Sequence, residues 1–295
     1  MKFMISTIIT AYKEPNLDKC LDSILNQKLS KNYEILVLAP DKETLEIAKK
    51  YQKKNKRIKI IKDPGKGKPT ALNLAFKHAK GKVLVLTDGD VIVGKGSIKN
   101  LLKHFKNPKV GAVSGKVIYQ ISRNNLFYEW AKLSEKIFDK MRKQQARRDK
   151  LIHPTGYLYA IRNNLVKFIP SNTLSDDAVI GYLIVSKGYR IAYEPKAKVY
   201  VKFPTSISDF IKQKSRTRAG FLQLKKWFGK TTRTPREEIS LGSKDLVKAY
   251  KLKVHKLLIV LFLYSIAWLK AYWVIWRKKS FKEVWSRIET TKHLS

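Results

Sequence analysis

The chain has 295 residues, 44% of them apolar, which suffices for one large α/β domain with an appendage or for two modest domains and excludes disorder as the default. Its 62 Lys and Arg against 23 Asp and Glu give a formal charge of +39, so the expected partners are anionic: nucleic acid, acidic lipid headgroups or phosphorylated substrates. The single cysteine, Cys20, excludes an intramolecular disulfide and any Cys-based metal site, and suits a reducing, cytoplasmic setting.

In chain order, the apolar run Phe3 to Thr10 reads as a buried strand rather than a signal peptide, because it meets Tyr-Lys-Glu-Pro with no small-residue cleavage site. Strands are predicted over Ile5 to Ile9, Glu34 to Ala39, Ile58 to Ile61 and Val83 to Thr87, separated by helical patterns. That alternation predicts a doubly wound, mainly parallel sheet. Pro15 and Asn16 open the first helix, whose Leu17, Leu21, Ile24 and Leu25 stripe faces the sheet. Such sheets bind ligands at the carboxyl ends of their strands, which directs attention to Thr10 to Glu14, Ala39 to Asp41, Asp63 to Thr70 and Asp88 to Asp90. The loop Gly65-Lys66-Gly67-Lys68 lacks the spacing of a phosphate-binding P-loop.

A further strand is predicted over Gly111 to Tyr119. An amphipathic helix follows, with Leu126, Trp130, Leu133, Ile137 and Met141 on one side and a very basic end, Lys140 to Lys150. Packing on the domain is the plain expectation for it, and a membrane-surface helix the sharper one. Tyr157 to Val201 reads as strands around a helix over Asp176 to Ser186. Thereafter the chain looks helical, with an exposed linker at Thr231 to Ser243. Leu257 to Trp276 is mostly apolar, flanked by His255 and Lys256 before and Arg277, Lys278 and Lys279 after. Its length just suffices to cross a core of roughly 30 Å. Lys270 interrupts it, so the segment either spans or lies in the interface, and Trp268, Trp273, Trp276 and Trp285 suit a membrane boundary in both cases. Packing on the soluble domain is the third possibility.

Asp88-Gly89-Asp90 ends an apolar strand, so two carboxylates project at the carboxyl edge around a residue small enough for phosphates to approach. Hard oxygen ligands of this kind suit Mg²⁺ or Mn²⁺ bridging a diphosphate, although Asp-Gly-Asp is also a common turn. Gln213 and Arg216 lie at i and i+3, on one helical face, and can reach one phosphate-bearing site; a solvated basic face is the alternative. His78, His104, His153 and His255 show no metal-ligand spacing.

Ile8-Ile9-Thr10-Ala11-Tyr12-Lys13-Glu14, Ser23 to Gln27, Gly67-Lys68-Pro69-Thr70-Ala71-Leu72-Asn73, Ala79-Lys80-Gly81 and Thr87 to Asp90 resemble, in order and spacing, the nucleotide-sugar domain of family 2 glycosyltransferases. These are inverting enzymes of the GT-A fold. Ser175-Asp176-Asp177 resembles the family's acidic pair, Gln213-Lys-Ser-Arg216 its QxxRW motif, and the resemblance runs over residues 3 to 228. It implies that Ala11, Tyr12 and Glu14 surround the nucleoside and that Lys68 and Asn73 lie near the base or sugar phosphates. It further implies that Asp90, assisted by Asp88, binds the metal, that Asp177 is the catalytic base, and that Asp176 stands where the family usually has Glu. His153, ahead of Pro154-Thr155-Gly156, falls where the family's acceptor site has a Gly-containing segment. Two positions depart. Where the family has an Asp pair after its second strand, this chain reads Leu38-Ala39-Pro40-Asp41, leaving Asp41 alone to contact the base. Thr217 replaces the motif Trp, which weakens the reading as a processive polysaccharide synthase.

The sequence therefore points to a GT-A glycosyltransferase domain over residues 1–228, a linker over 229–250 and an apolar, basic membrane-attachment segment over 251–295. The expected activity moves a sugar from a nucleotide diphosphate sugar to a lipid-linked or glycan acceptor at the cytoplasmic side of the cell membrane, on an anionic surface. Sugar nucleotidylyltransferases need a Gly-rich loop after the first strand, where this chain has Ala-Tyr-Lys-Glu-Pro. A nucleic-acid binder would rest on charge alone, without interleaved stacking aromatics, so no nucleic acid is expected as partner.

Overall fold

A computed structural model describes residues 4–27, 29, 32–151, 153–229, 254–279, 281–285 and 287–292. Among these, the chain runs β1 (Ile5–Thr10), α1 (Leu17–Leu25), β2 (Tyr33–Ala39), α2 (Lys42–Lys54), β3 (Ile58–Lys62), α3 (Lys68–His78), β4 (Val83–Asp88), β5 (Val91–Val93), α4 (Ser97–Lys103) and β6 (Val110–Gln120). There follow α5 (Tyr128–Arg147), β7 (Leu158–Arg162), α6 (Asp176–Ser186), β8 (Arg190–Lys202), α7 (Ile207–Phe228), α8 (Val254–Trp276) and the single turn α9 (Phe281–Val284).

The strands form one eight-stranded mixed sheet in the order β3-β2-β1-β4-β7-β6-β8-β5. The first four expected strands pair in parallel, so that Thr10 lies level with Leu38 on one side and Asp88 on the other. Antiparallel β7 separates β4 from β6, and β5 runs antiparallel to β8 at the edge. The period-2 geometry of β1 sends Ile5 and Ile9 to one face, with Leu17, Leu21 and Ile24 of α1, and Ile8 to the other, with Ala71 and Leu72 of α3 and Ala178 and Ile180 of α6. Helices thus cover both faces, and the near-continuous apolar strands are those of a doubly covered parallel sheet.

A third cluster joins Phe127 and Ala131 at the start of α5 to Phe203, to Phe210 of α7 and to Val260 and Leu263 of α8. Trp130 packs its ring 5.2 Å from that of Tyr264. The apolar side of α5 is therefore spent on the domain, the plainer of the two expectations for it. In α8, Val260, Leu263, Ala267, Ala271 and Val274 are buried, while Leu258, Phe262, Leu269, Tyr272, Trp273 and Trp276 on the opposite side are exposed. By length and composition α8 could cross a membrane, yet one face lies along the soluble domain. Gly229 ends α7 in the left-handed conformation (φ +68°), and the rest of the expected linker, 230–250, lies outside the described residues.

Candidate active site

The carboxyl ends of β1 to β4 and the N-terminus of α3 open into one cleft of about 390 Å³, within the usual size range of small-molecule sites, and Lys68 links the N-terminus of α6 to it. Asp88 is the last residue of β4 and Asp90 immediately precedes β5, so the acidic motif is the turn at which the chain leaves the sheet centre for its edge. Gly89 N donates to Thr10 O (3.0 Å), and a Cβ on Gly89 would stand 2.7 Å from the Ala11 Cβ. No larger residue fits there without moving β1 away from the acidic turn.

Four charged contacts line the cleft. Lys68 Nζ is 2.7 Å from Asp88 Oδ1 and 3.4 Å from Asp176 Oδ2, which ties the acidic turn to the first turn of α6. Lys292 Nζ is 2.7 Å from Glu14 Oε2 and 2.7 Å from Asp90 Oδ2. Burial pushes the carboxyls of Asp88 and Asp176 above the ordinary range, with Lys68 pulling the other way. Burial also raises Glu14. At Asp90 burial acts in the same sense, but the Lys292 ammonium overrides it and holds the carboxyl below its usual value.

Asp177 stands beside the cleft, next to Asp176. Its Oδ1 accepts from Ser175 Oγ (2.7 Å) and Ala178 N (2.9 Å), while Oδ2 faces Gly156, where a Cβ would lie only 3.3 Å away. The carboxylate is thus oriented by its own helix start, with its second oxygen left to face Gly156. The acidic pair meets α7 closely because of Gly220: a Cβ there would approach the Ser175 Cβ to 2.6 Å. One and two turns before Gly220, Arg216 and Gln213 line the cleft, and the Arg216 guanidinium lies 3.5 Å from the centre of the Trp285 ring. Arg142 of α5 is buried and within electrostatic reach of Asp177, Tyr119 and Tyr193.

Of the residues selected from sequence, Ala11, Tyr12, Glu14, Lys68, Asp88, Asp90, Gln213 and Arg216 line the cleft, and Asp176, with Asp177 next to it in α6, adjoins it through Lys68. Two others are used differently. Asp41 caps α2, its Oδ1 accepting from Thr44 N (2.9 Å) and its Oδ2 from Lys13 N (2.8 Å), so it shapes the loop after β1 instead of facing the cleft. Asn73 spends both ends of its amide on the backbone of Ile169 (2.8 and 2.9 Å) and holds the segment leading to α6. Asp63, at the end of β3, lines the cleft where Asp41 was expected, with Gly65 N donating to it (2.7 Å). His153 is a core histidine, buried edge-on against Phe221 (5.5 Å).

Sequence reasoning missed Tyr157, Trp285, Arg287 and Lys292, all in the cleft wall. The last three belong to the C-terminal segment expected to attach the protein to a membrane. Arg218, which from sequence is an ordinary surface cation, is buried and stacked on Tyr264 and Trp268, each 5.1 Å away.

Comparison with known proteins bears on the fold and the family. A family model described as "Glycosyltransferase like family 2" matches residues 4–220. A poly-beta-1,6-N-acetyl-D-glucosamine synthase of Staphylococcus aureus is 24% identical over 227 residues, covering 73% of this chain and 54% of that protein. The uncharacterized glycosyltransferase EpsJ of Bacillus subtilis is 32% identical over 114 residues, 37% of this chain and 33% of EpsJ. The chain thus spans a third to about half the length of these curated relatives. Among solved structures, the mannosyltransferase PcManGT from Pyrobaculum calidifontis, in complex with GDP-Man and Mn²⁺, superposes with a TM-score of 0.71 at 18% identity, over 95% of this chain and 89% of that one. GalNAc-T7 with UDP, GalNAc and Mn²⁺ gives 0.53 at 15% identity, over 68% and 43%. At these identities the structural matches establish the GT-A fold.

Proposed function

The chain belongs to glycosyltransferase family 2, and on that premise we propose that it transfers a sugar from a nucleotide diphosphate donor, with inversion, to an acceptor hydroxyl presented at a membrane surface. The observation that carries this reading is the position of Lys68, in contact with both Asp88 and Asp176. It brings the donor-side acids and the acidic pair of α6 to two sides of one point, as an inverting displacement requires: a base on the acceptor and charge stabilisation on the leaving diphosphate.

Tyr12, Asp63 and Gly65 form the part of the cleft that suits the nucleoside, and Lys68 and Arg216 the part that suits the diphosphate. Among the described residues no three His, Cys, Asp or Glu side chains converge as a closed metal site. Asp90 and Asp88 instead offer the partial set of hard oxygens that Mg²⁺ or Mn²⁺ takes when substrate phosphates complete its shell, and the pair already attracts two ammonium groups. Bound there, the ion would neutralise charge developing on the departing diphosphate. Asp177 Oδ2, turned toward Gly156, is the oxygen that would take the acceptor proton, while Oδ1 is held by Ser175 and Ala178.

One feature supports a lipid-linked acceptor. The exposed stripe of α8, from Leu258 to Trp276, is flanked by Lys256, Arg277, Lys278 and Lys279, the pattern of a helix lying in an anionic interface. The packing of its other face on α7, which lines the cleft, favours α8 lying on the membrane over crossing it. On this reading the domain works at the cytoplasmic leaflet. Calorimetric titration with UDP and GDP, each with and without Mn²⁺, tests it: metal-dependent binding of one of them is expected, and binding of neither would refute it.

A further inference from the structure

The C-terminal segment does more than follow a surface helix. From the end of α9 it crosses the cleft mouth and is fastened on both banks. On the β1 side, Arg287 Nη2 donates to Lys13 O (2.7 Å), and Asn16 Nδ2 donates to Lys292 O. On the α7 side, Asp209 Oδ2 accepts from both Thr290 N (2.9 Å) and Thr290 Oγ1 (2.8 Å), and Trp285 lies under Arg216 and donates from Nε1 to Leu174 O (3.4 Å).

The strap ends with a positive charge where a cation is wanted. Lys292, 13% exposed, places its ammonium at hydrogen-bond distance from Glu14 and Asp90 together. A divalent cation on Asp90 and this ammonium cannot occupy the same space. We propose that Lys292 is a built-in competitor for the metal position: with the donor absent the strap formed by Trp285 and residues 287–292 keeps the cleft closed and its acids neutralised, and metal-bound nucleotide enters by displacing it. This rests on the donor-site reading above and adds a gate to it. The exchange is chemically balanced, since the departing lysine regains water while the ion and diphosphate supply the charge that Glu14 and Asp90 lose. A protein that spends part of its population closed binds more weakly by the fraction that is open.

Hydrogen exchange of the full chain, with and without Mn²⁺ and UDP or GDP, combined with titration of Lys292→Met, provides the test. In the wild type, nucleotide with Mn²⁺ should speed exchange across 285–292, and Lys292→Met should bind the same nucleotide and Mn²⁺ about tenfold more tightly, as expected if the closed form dominates by that ratio. Thr290→Val, which loosens the anchor on Asp209 without touching the acids, should shift affinity in the same direction. Slower or unchanged exchange on binding, with both variants equal to or weaker than wild type, would overturn the gate and make Lys292 a donor contact, leaving the donor site intact. A wild type that binds neither nucleotide would instead remove the donor site and the gate with it.

Discussion

Lys68 Nζ lies 2.7 Å from Asp88 Oδ1, joining the first residue of α3 to the last residue of β4 across the mouth of the parallel sheet. Because the same ammonium reaches Asp176 at 3.4 Å, the position of the α6 acids relative to the acidic turn is set by one side chain. Lys68→Met should therefore weaken nucleotide binding and also lower turnover of bound donor. A variant that changed only stability would remove Lys68 from the site.

Asp177 is proposed as the base, with one oxygen committed to Ser175 and Ala178 and the other turned toward Gly156. Asp177→Asn should lower turnover by about 10²-fold or more, the usual scale for a lost general base, with donor affinity near wild type. Steady-state rates beside calorimetric donor binding separate the two effects, and a fully active variant would sink the assignment.

Gly89 separates the two acids and abuts Ala11. Gly89→Ala must push apart β1 and the acidic turn, at a cost of roughly 1–3 kcal/mol typical of overpacking. We expect a lowered Tm together with loss of metal-dependent nucleotide binding. Normal binding would mean that the turn tolerates displacement and that its geometry is not what holds the metal.

Arg216 lines the cleft and stacks on Trp285, so geometry as well as charge should matter. Arg216→Lys should remain impaired by roughly 1.5–3 kcal/mol in transition-state binding, the worth of a charge-assisted hydrogen bond. Exposed Lys225 and Lys226 on the same helix are the matched controls; Arg218 is not, because it is buried against Tyr264 and Trp268. Equal small losses at Arg216 and the controls would reduce the motif to a basic face.

Glu34 reports on the fold apart from the site. Its buried carboxylate accepts from Ser6 Oγ (2.7 Å), Lys80 N (2.7 Å) and Lys59 Nζ (2.6 Å). Burial alone would raise its pKa, but these bonds hold it below the ordinary value. A carboxyl depressed in the folded state stabilises above its unfolded pKa, about 4.3, and that stability is lost as pH falls through the folded value. Glu34→Gln should thus be less stable than wild type at pH 7, with the gap in Tm shrinking in acid. A gap independent of pH would show that packing, not charge, is at stake.

Phe262→Asp with Leu269→Asp, both on the exposed face of α8, should abolish sedimentation with anionic vesicles and leave the fold intact. Unchanged sedimentation would place attachment elsewhere.

The parallel half of the sheet was legible because strands covered on both faces read as unbroken β-branched runs, and many of the residues that line the cleft were legible because they follow those strands directly. β5 was not, since three residues carry no periodicity. That Asn73 and Asp41 answer backbone groups was not legible either, since Ile169 lies 96 residues from Asn73 and Lys13 lies 28 from Asp41. Lys292 meets Asp90 across 202 residues, in a chain with so many lysines that composition cannot single one out. The motif tryptophan missing at Thr217 gave no sign that Trp285 would cover Arg216 instead.

Release of nucleoside diphosphate from a panel of nucleotide sugars, followed with Mn²⁺, with Mg²⁺ and with EDTA, tests the central claim most directly. At least one donor should be turned over, transfer should stop in EDTA, and Asp90→Ala should lose the metal-dependent rate. No release from any donor with either ion, or release undiminished by EDTA and by Asp90→Ala, would contradict a metal-assisted glycosyl transfer at this site.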